Sequence, residues 1–251
     1  MKTRNRSYRA IISSDWNECL APCGPFDFIA FTYPSLEQET KEIFKAYTGN
    51  RISLSEATLK ISSLLPQPIT EGQMDTYLDE RFVTYRGVPD LIEWCGKNNI
   101  LFMINTTGAQ GYFDRVFKKG LLPDVPVISA NPMIKFLEKD ETSRQYHDLI
   151  EIQDKPANTQ NVMGQFGIEG SKTFLIGDSG GDGPHFEWGA KTGAFLIGSM
   201  TKSSLDQYCS RKGIKIDLHF GPRYSKGEER SDDLEMSVDF MELIPKIEKI
   251  L

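Results

Sequence analysis

A chain of 251 residues, 39% hydrophobic and 25% charged, has the size and composition of one large α/β domain or a domain with an insert. Its formal charge of −6, without a basic cluster, excludes an extended nucleic-acid surface, and no apolar run nears the ~20 residues that span a membrane. Cys19, Cys23, Cys95 and Cys209 lack a second pair or a histidine pair to complete a zinc site, and they read as free thiols of a reducing cytoplasm. The basic start has too short an apolar part for a signal peptide and runs into a first strand over 8–14, which ends in small polar residues and then Asp15.

The loop 21–28 is rich in Pro and Gly and reads as a hinge into an insert. Four helical stretches follow. Residues 35–49 have a Ser cap and a terminal Gly; 52–65 carry Ser53 or Ser55 as cap; 69–82 carry Thr70; 88–99 lead into a strand at 100–105. Gly108 and Gly111 then let the backbone approach a ligand at a helix start. A strand is expected at 125–131, and 132–153 fits either a β-hairpin or an irregular insert. A helix at 157–168 ends at Gly167. It precedes strands at 173–177 and 193–198, helices beginning at 183 and 203, and an alternating edge strand at 214–221. Residues 223–233 are polar and expected to be mobile, and 236–251 read as an amphipathic terminal helix interrupted or started by Pro245.

Open α/β sheets place ligands at the carboxyl ends of their strands. Four segments fit one such edge: Asp15 after the first strand, INTTG at 104–108, Lys155-Pro156, and GDSGGD at 177–182. They supply an acid, a hydroxyl with backbone donors, a lysine and two more acids, a set suited to phosphoryl transfer with a divalent metal. The ordered set resembles the haloacid dehalogenase superfamily over roughly residues 8–200, and the helices after the first motif are similar to its phosphoserine-phosphatase-like branch.

The resemblance implies a Rossmann-like parallel α/β core, residues 1–22 and 96–251, with a small helical cap at 23–95 between the first and second motifs. It implies Asp15 as nucleophile and Lys155 as its charge partner. Thr106, Thr107 and Gly108 would hold phosphate, with Asn105 or Thr107 alternative holders of the hydroxyl role. Mg²⁺ would be bound by Asp15, the backbone carbonyl of Asn17, Asp178 and, directly or through water, Asp182.

Asn17 departs from the family pattern. Its phosphatases carry there an acid that protonates the leaving group and later activates water, and an amide can do neither; such catalysis contributes ~10²–10⁴ in rate. Glu18 is adjacent but reads as a loop residue facing elsewhere. His147, His185 and His219 are scattered and read as structural or surface residues, and Trp16 and Phe26 as core or pocket wall. The expected function is a cytoplasmic Mg²⁺-dependent hydrolase of a small phosphorylated metabolite, slowed by Asn17, without nucleic-acid or membrane partners. The alternatives are a non-catalytic phosphate-ligand binding or regulatory protein that kept its metal site, and a phosphonate-cleaving enzyme using a cap lysine such as Lys41, Lys45 or Lys60.

Overall fold

A computed structural model describes residues 7–48, 51–136 and 144–251. Strand β1 (Ala10–Ser14) has all five residues buried and lies at the centre of the sheet. The remaining strands are β2 (Ile100–Ala109), β3 (Val127–Asn131), β4 (Gln145–Asp148), β5 (Thr173–Gly177), β6 (Phe195–Lys202) and β7 (Leu218–Tyr224). They form one parallel seven-stranded sheet in the order β4-β3-β2-β1-β5-β6-β7. The continuous apolar runs of β1, β2 and β5 suit strands covered on both faces. Burying each Ile, Leu or Phe of this core stabilises by about 1.5–3 kcal/mol.

The order builds outward from β1 to β4, then returns to the other side of β1 with β5. This reversal opens a crevice at the carboxyl ends of β1 and β5. Ser14 pairs with Ile104 on one side and Ile176 on the other, so Asp15, Thr106 and Asp178 leave the sheet at one edge. β4 lies within the stretch that sequence left between a hairpin and an irregular insert. It is parallel, not half of a hairpin; residues 137–143 of that stretch lie outside the described residues.

Helices α1 (Asp27–Thr32), α2 (Glu37–Thr48), α3 (Leu54–Leu64) and α4 (Glu71–Arg81) come between β1 and the crossover helix α5 (Val88–Lys97). Ser53 caps α3 by accepting from Glu56 N, and Thr70 with Gln73 forms a capping box on α4. The segments before α1 and after α4 meet where Tyr85 N donates to Leu20 O at 3.0 Å. The free N–H groups of α3 reach the sheet side of the molecule: Leu54 N and Ser55 N donate to Glu151 at 3.0 and 3.1 Å. That arrangement places a carboxylate at a helix N-terminus, where the helix dipole favours it.

The later helices are α6 (Gln110–Lys118), α7 (Asp154–Phe166), α8 (Gly183–Thr192), α9 (Ser203–Lys212), α10 (Asp232–Met236) and α11 (Ile244–Glu248). The terminal segment is not one amphipathic helix. Asp239 caps a 3-10 turn, Phe240–Leu243, through Met241 N, and α11 starts with Pro245 in its first turn. Phe240 instead stacks on Tyr85, with ring planes 4° apart, and its N–H donates to Arg86 O at 2.8 Å. The stretch 223–233, expected to be mobile, is anchored: Arg230 reaches into the molecule to Glu18, Tyr85 and Glu235.

Candidate active site

Asp15 stands one residue beyond β1. Its N–H donates to Ile176 O at 2.9 Å, and its Oδ1 accepts from Trp16 N at 2.7 Å, so both backbone and carboxylate are held. Lys155 arrives from the first turn of α7, the crossover between β4 and β5. Although fully buried, it lies 3.1 Å from Asp15 Oδ2 and 2.6 Å from Asp182 Oδ1. Burial works against its ammonium, but Asp15 and Asp182 outweigh that and hold its pKa above the ordinary lysine value.

Asp182 closes the glycine-rich turn after β5. Its Oδ2 accepts from Asp178 N at 3.0 Å and Ser179 N at 3.3 Å. Burial raises its carboxyl above the usual range; Lys155 opposes the rise, and the charges of Asp15 and Asp178 add to it. Asp178 is 1% exposed, and its Oδ2 makes no hydrogen bond, although the Lys202 ammonium lies 2.7 Å away. Carboxylate oxygens of Asp15, Asp178 and Asp182 all lie within 4.8 Å of one another.

The second strand end separates the three register candidates. Asn105 turns into the interior, donating to Lys155 O at 2.9 Å and Thr159 Oγ1 at 3.0 Å. Thr107 is half-buried at the same strand end. Thr106 is buried and donates its hydroxyl to Asn17 Oδ1 at 3.0 Å while accepting from Gly108 N at 3.2 Å. Asn17 Nδ2 in turn donates to Cys23 O at 3.2 Å, on the loop toward α1. A Cβ at Gly108 would stand 2.8 Å from Asn17 Oδ1, so a larger residue there would require this amide to shift.

Sequence reasoning missed the cations around Glu18. Glu18 adopts a left-handed φ of 58°. It pairs with Lys202 at the end of β6 and with Arg230, which also pairs with the fully buried Glu235. Neither Lys202 nor Arg230 lies in a motif, and nothing short of the fold brings them to Glu18. His185, read as structural, is buried and shares a 3.0 Å hydrogen bond with Thr159 Oγ1. Lys41, Lys45 and Lys60 are exposed, two of them paired along their own helices with Glu37 and Glu56.

The donor set suits a hard divalent cation. Three buried carboxylates converge, with oxygens within 4.8 Å of one another. Across the whole cluster, Asp15, Glu18, Asp178, Asp182 and Glu235 face Lys155, Lys202 and Arg230, a formal excess of two negative charges when every carboxyl is ionised. One divalent cation would balance them.

No protein-family model matches the sequence, and no curated protein is similar to it by sequence. Solved structures are similar in fold. A substrate-bound phosphoserine phosphatase complex superposes with a TM-score of 0.66 at 17% identity, covering 96% of this chain and 99% of that one. A phospho-aspartyl intermediate analogue of phosphoserine phosphatase gives 0.64 at 17% identity, covering 96% and 99%. A HAD family hydrolase from Salmonella enterica serovar Typhi gives 0.69 at 14% identity, covering 98% and 73%. Among the described residues no helix is long and apolar enough to cross a membrane. The chain therefore shares its fold with these phosphoserine phosphatases and this HAD family hydrolase.

Proposed function

We propose that this chain hydrolyses small phosphate monoesters with the help of a divalent cation, Mg²⁺ by its hard-oxygen donor set, and that Asp15 is the nucleophile. The observation that carries this reading is Lys155, fully buried and shared between Asp15 and Asp182, with Asp178 beside them. Phosphoserine phosphatases among the similar folds support it. In this reading residues 23–95 form a helical cap over a core of 1–22 and 96–251.

An Asp15 oxygen attacks phosphorus, the ester P–O bond breaks, and an aspartyl phosphate forms that water later cleaves. Lys155 balances charge on Asp15 and the transferring group. Thr106 and the N–H groups of Thr107 and Gly108 bind phosphate oxygens. Asp15, Asp178, Asp182 and the Asn17 carbonyl would hold a divalent cation, which would supply charge neutralisation for the attacking carboxylate and the phosphate. Asn17 has no acidic proton to give the departing alkoxide, so the alcohol takes its proton from solvent.

The missing acid also favours a second reading, a phosphate-ligand binding protein with a retained metal site. Hydrolysis of a panel of monoesters, with Mg²⁺ and then with chelator, separates the two. Metal-dependent turnover that Asp15→Asn abolishes is expected. No turnover on any ester, with phosphate still bound, would overturn catalysis in favour of binding.

A further inference from the structure

The first turns of α7 pack on the sheet through polar groups, and its later turns through apolar ones. Lys155, Asn158, Thr159, Val162 and Met163 are its buried residues, spaced as one helix face. Val162 and Met163 pack with Ile11, Leu101, Met103 and Val127. Asn158, by contrast, donates to Ser129 Oγ at 2.8 Å and to Asp148 O at 3.0 Å. Apolar contact is non-directional and fixes a helix along its axis only loosely; hydrogen bonds fix it sharply.

Asn105 is the hub of these polar contacts. It is fully buried in β2, next to Thr106 in the chain and level with Ser129 of β3. Its Nδ2 donates to Lys155 O at 2.9 Å and to Thr159 Oγ1 at 3.0 Å, with Ser13 Oγ at 3.3 Å. A carbonyl only accepts, so turning the amide over would set two acceptors against each other. Thr159 Oγ1 also lies 2.9 Å from Ser13 Oγ and 3.0 Å from His185 Nε2. The network thus takes one member from each segment that carries a site residue. Ser13 stands two residues before Asp15, Asn105 one before Thr106, Thr159 one turn after Lys155, and His185 three residues after Asp182.

Above this network is an arrangement with little tolerance. Lys155 Nζ reaches Asp15 Oδ2 at 3.1 Å and Asp182 Oδ1 at 2.6 Å at once, in a fully buried place. Asn105 grips the backbone of Lys155 itself. Misplacing such a group by about 1 Å can cost ~10²-fold in rate.

Resting on the phosphatase reading above, we infer that Asn105 is a positioning residue: through the Lys155 carbonyl it sets the place of the Lys155 ammonium between Asp15 and Asp182. Its contribution to the reaction runs through Lys155, not through contact with phosphate. Leucine has a similar shape and would fill the same room, but it offers Lys155 O and Thr159 no donor.

Nuclear magnetic resonance of lysine ammonium groups, in nitrogen-15-labelled protein kept in chelator, tests the placement without turnover. Lys155 Nζ, kept protonated by its two carboxylates and shielded from water, is expected to give a slowly exchanging signal, assigned by its loss in Lys155→Met. In Asn105→Leu that signal should shift or broaden. With Mg²⁺ and a monoester, kcat should fall about tenfold or more while KM changes by less than about twofold. Asn105→Leu should also lower the denaturant midpoint in chelator less in the Lys155→Met background than in the unmodified protein, because the ammonium it places is gone. Asn105→Ser, whose shorter side chain withdraws the donor from Lys155 O, repeats these readings should Asn105→Leu not fold.

A residue that only fills space would lower the midpoint equally in both backgrounds and leave the ammonium signal in place. That outcome, or an unchanged kcat in an active variant, would overturn the inference and leave the phosphatase reading standing. A moved signal and a coupled midpoint in a protein that turns over no ester would keep the hold of Asn105 on Lys155 and remove catalysis.

Discussion

The Thr106 hydroxyl donates to Asn17 Oδ1 at 3.0 Å, so the hydroxyl proposed to grip phosphate is already tied to the residue that departs from the family pattern. Asn17 Nδ2 completes the tie by donating to Cys23 O at 3.2 Å. In Asn17→Asp one oxygen can still accept from Thr106, but the other would face the Cys23 carbonyl. That contact favours a protonated carboxyl, which is the form a general acid needs. Asn17→Asp is therefore expected to raise kcat on alkyl phosphates by about 10²-fold or more. It should also flatten the dependence of rate on leaving-group pKa, which is steep without an acid. Steady-state kinetics on a series of aryl and alkyl phosphates checks both; unchanged rates in a folded, Mg²⁺-binding variant would count against a latent phosphatase.

Lys155 is the cation on which the apo site depends. Lys155→Met would leave Asp15 and Asp182 facing each other in the interior, where breaking a buried pair costs about 3–5 kcal/mol. Denaturant unfolding in chelator should show this loss. Adding Mg²⁺ should recover more stability in the variant than in the unmodified protein, because bound cation then replaces the missing charge. An unchanged unfolding midpoint in chelator would contradict the pairing.

Lys202 would compete with a divalent cation for Asp178. Its ammonium lies 2.7 Å from Asp178, and its backbone N–H donates to Asp178 O at 2.8 Å, so only the side chain competes for the carboxylate. Burial disfavours its charge, but Asp178 and Glu18 outweigh burial and keep it protonated. Removing one positive charge at this range should tighten divalent-cation binding about tenfold or more. Calorimetric titration of Lys202→Met with Mg²⁺ or Mn²⁺ reads the effect directly; weaker binding would mean that Lys202 orients Asp178 rather than competing for it.

The sheet was legible because fully buried parallel strands read as apolar runs bounded by turn residues, as in 100–105 and 173–177. Asp15, Thr106, Lys155 and Asp182 each follow or face such a run, so their meeting at one edge follows from topology. Glu18, Lys202 and Arg230 do not. Their partners are 184 and 212 residues apart in the chain, and a polar segment such as 223–233 looks solvated until a buried Glu235 requires a cation. The terminal helix does start with Pro245 in its first turn, but its earlier part is broken for a local reason: Asp239 caps a 3-10 turn inside an apparently continuous apolar period. The Thr106–Asn17–Cys23 chain of hydrogen bonds depends on side-chain direction, which spacing alone does not report.

His185 makes stability depend on pH in a direction that its surroundings fix. It is buried, stacks on Trp188 at 5.9 Å, shares a hydrogen bond with Thr159 and stands near the Lys155 ammonium. Burial first, and Lys155 second, hold its pKa well below the ordinary histidine value. In the unfolded chain it titrates near ~6.5, so below that pH the unfolded state binds more protons. Its contribution to stability is complete above ~6.5 and is lost as pH falls, by up to about 1.4 kcal/mol per unit. His147 and His219 are shifted the same way, chiefly by burial, and add to the slope. His185→Gln keeps a partner for Thr159 and removes the titration. Urea unfolding at pH 7.5 and 5.5 in chelator should show the stability lost between the two reduced by about 1 kcal/mol in the variant; an identical loss would place the depressed histidine elsewhere.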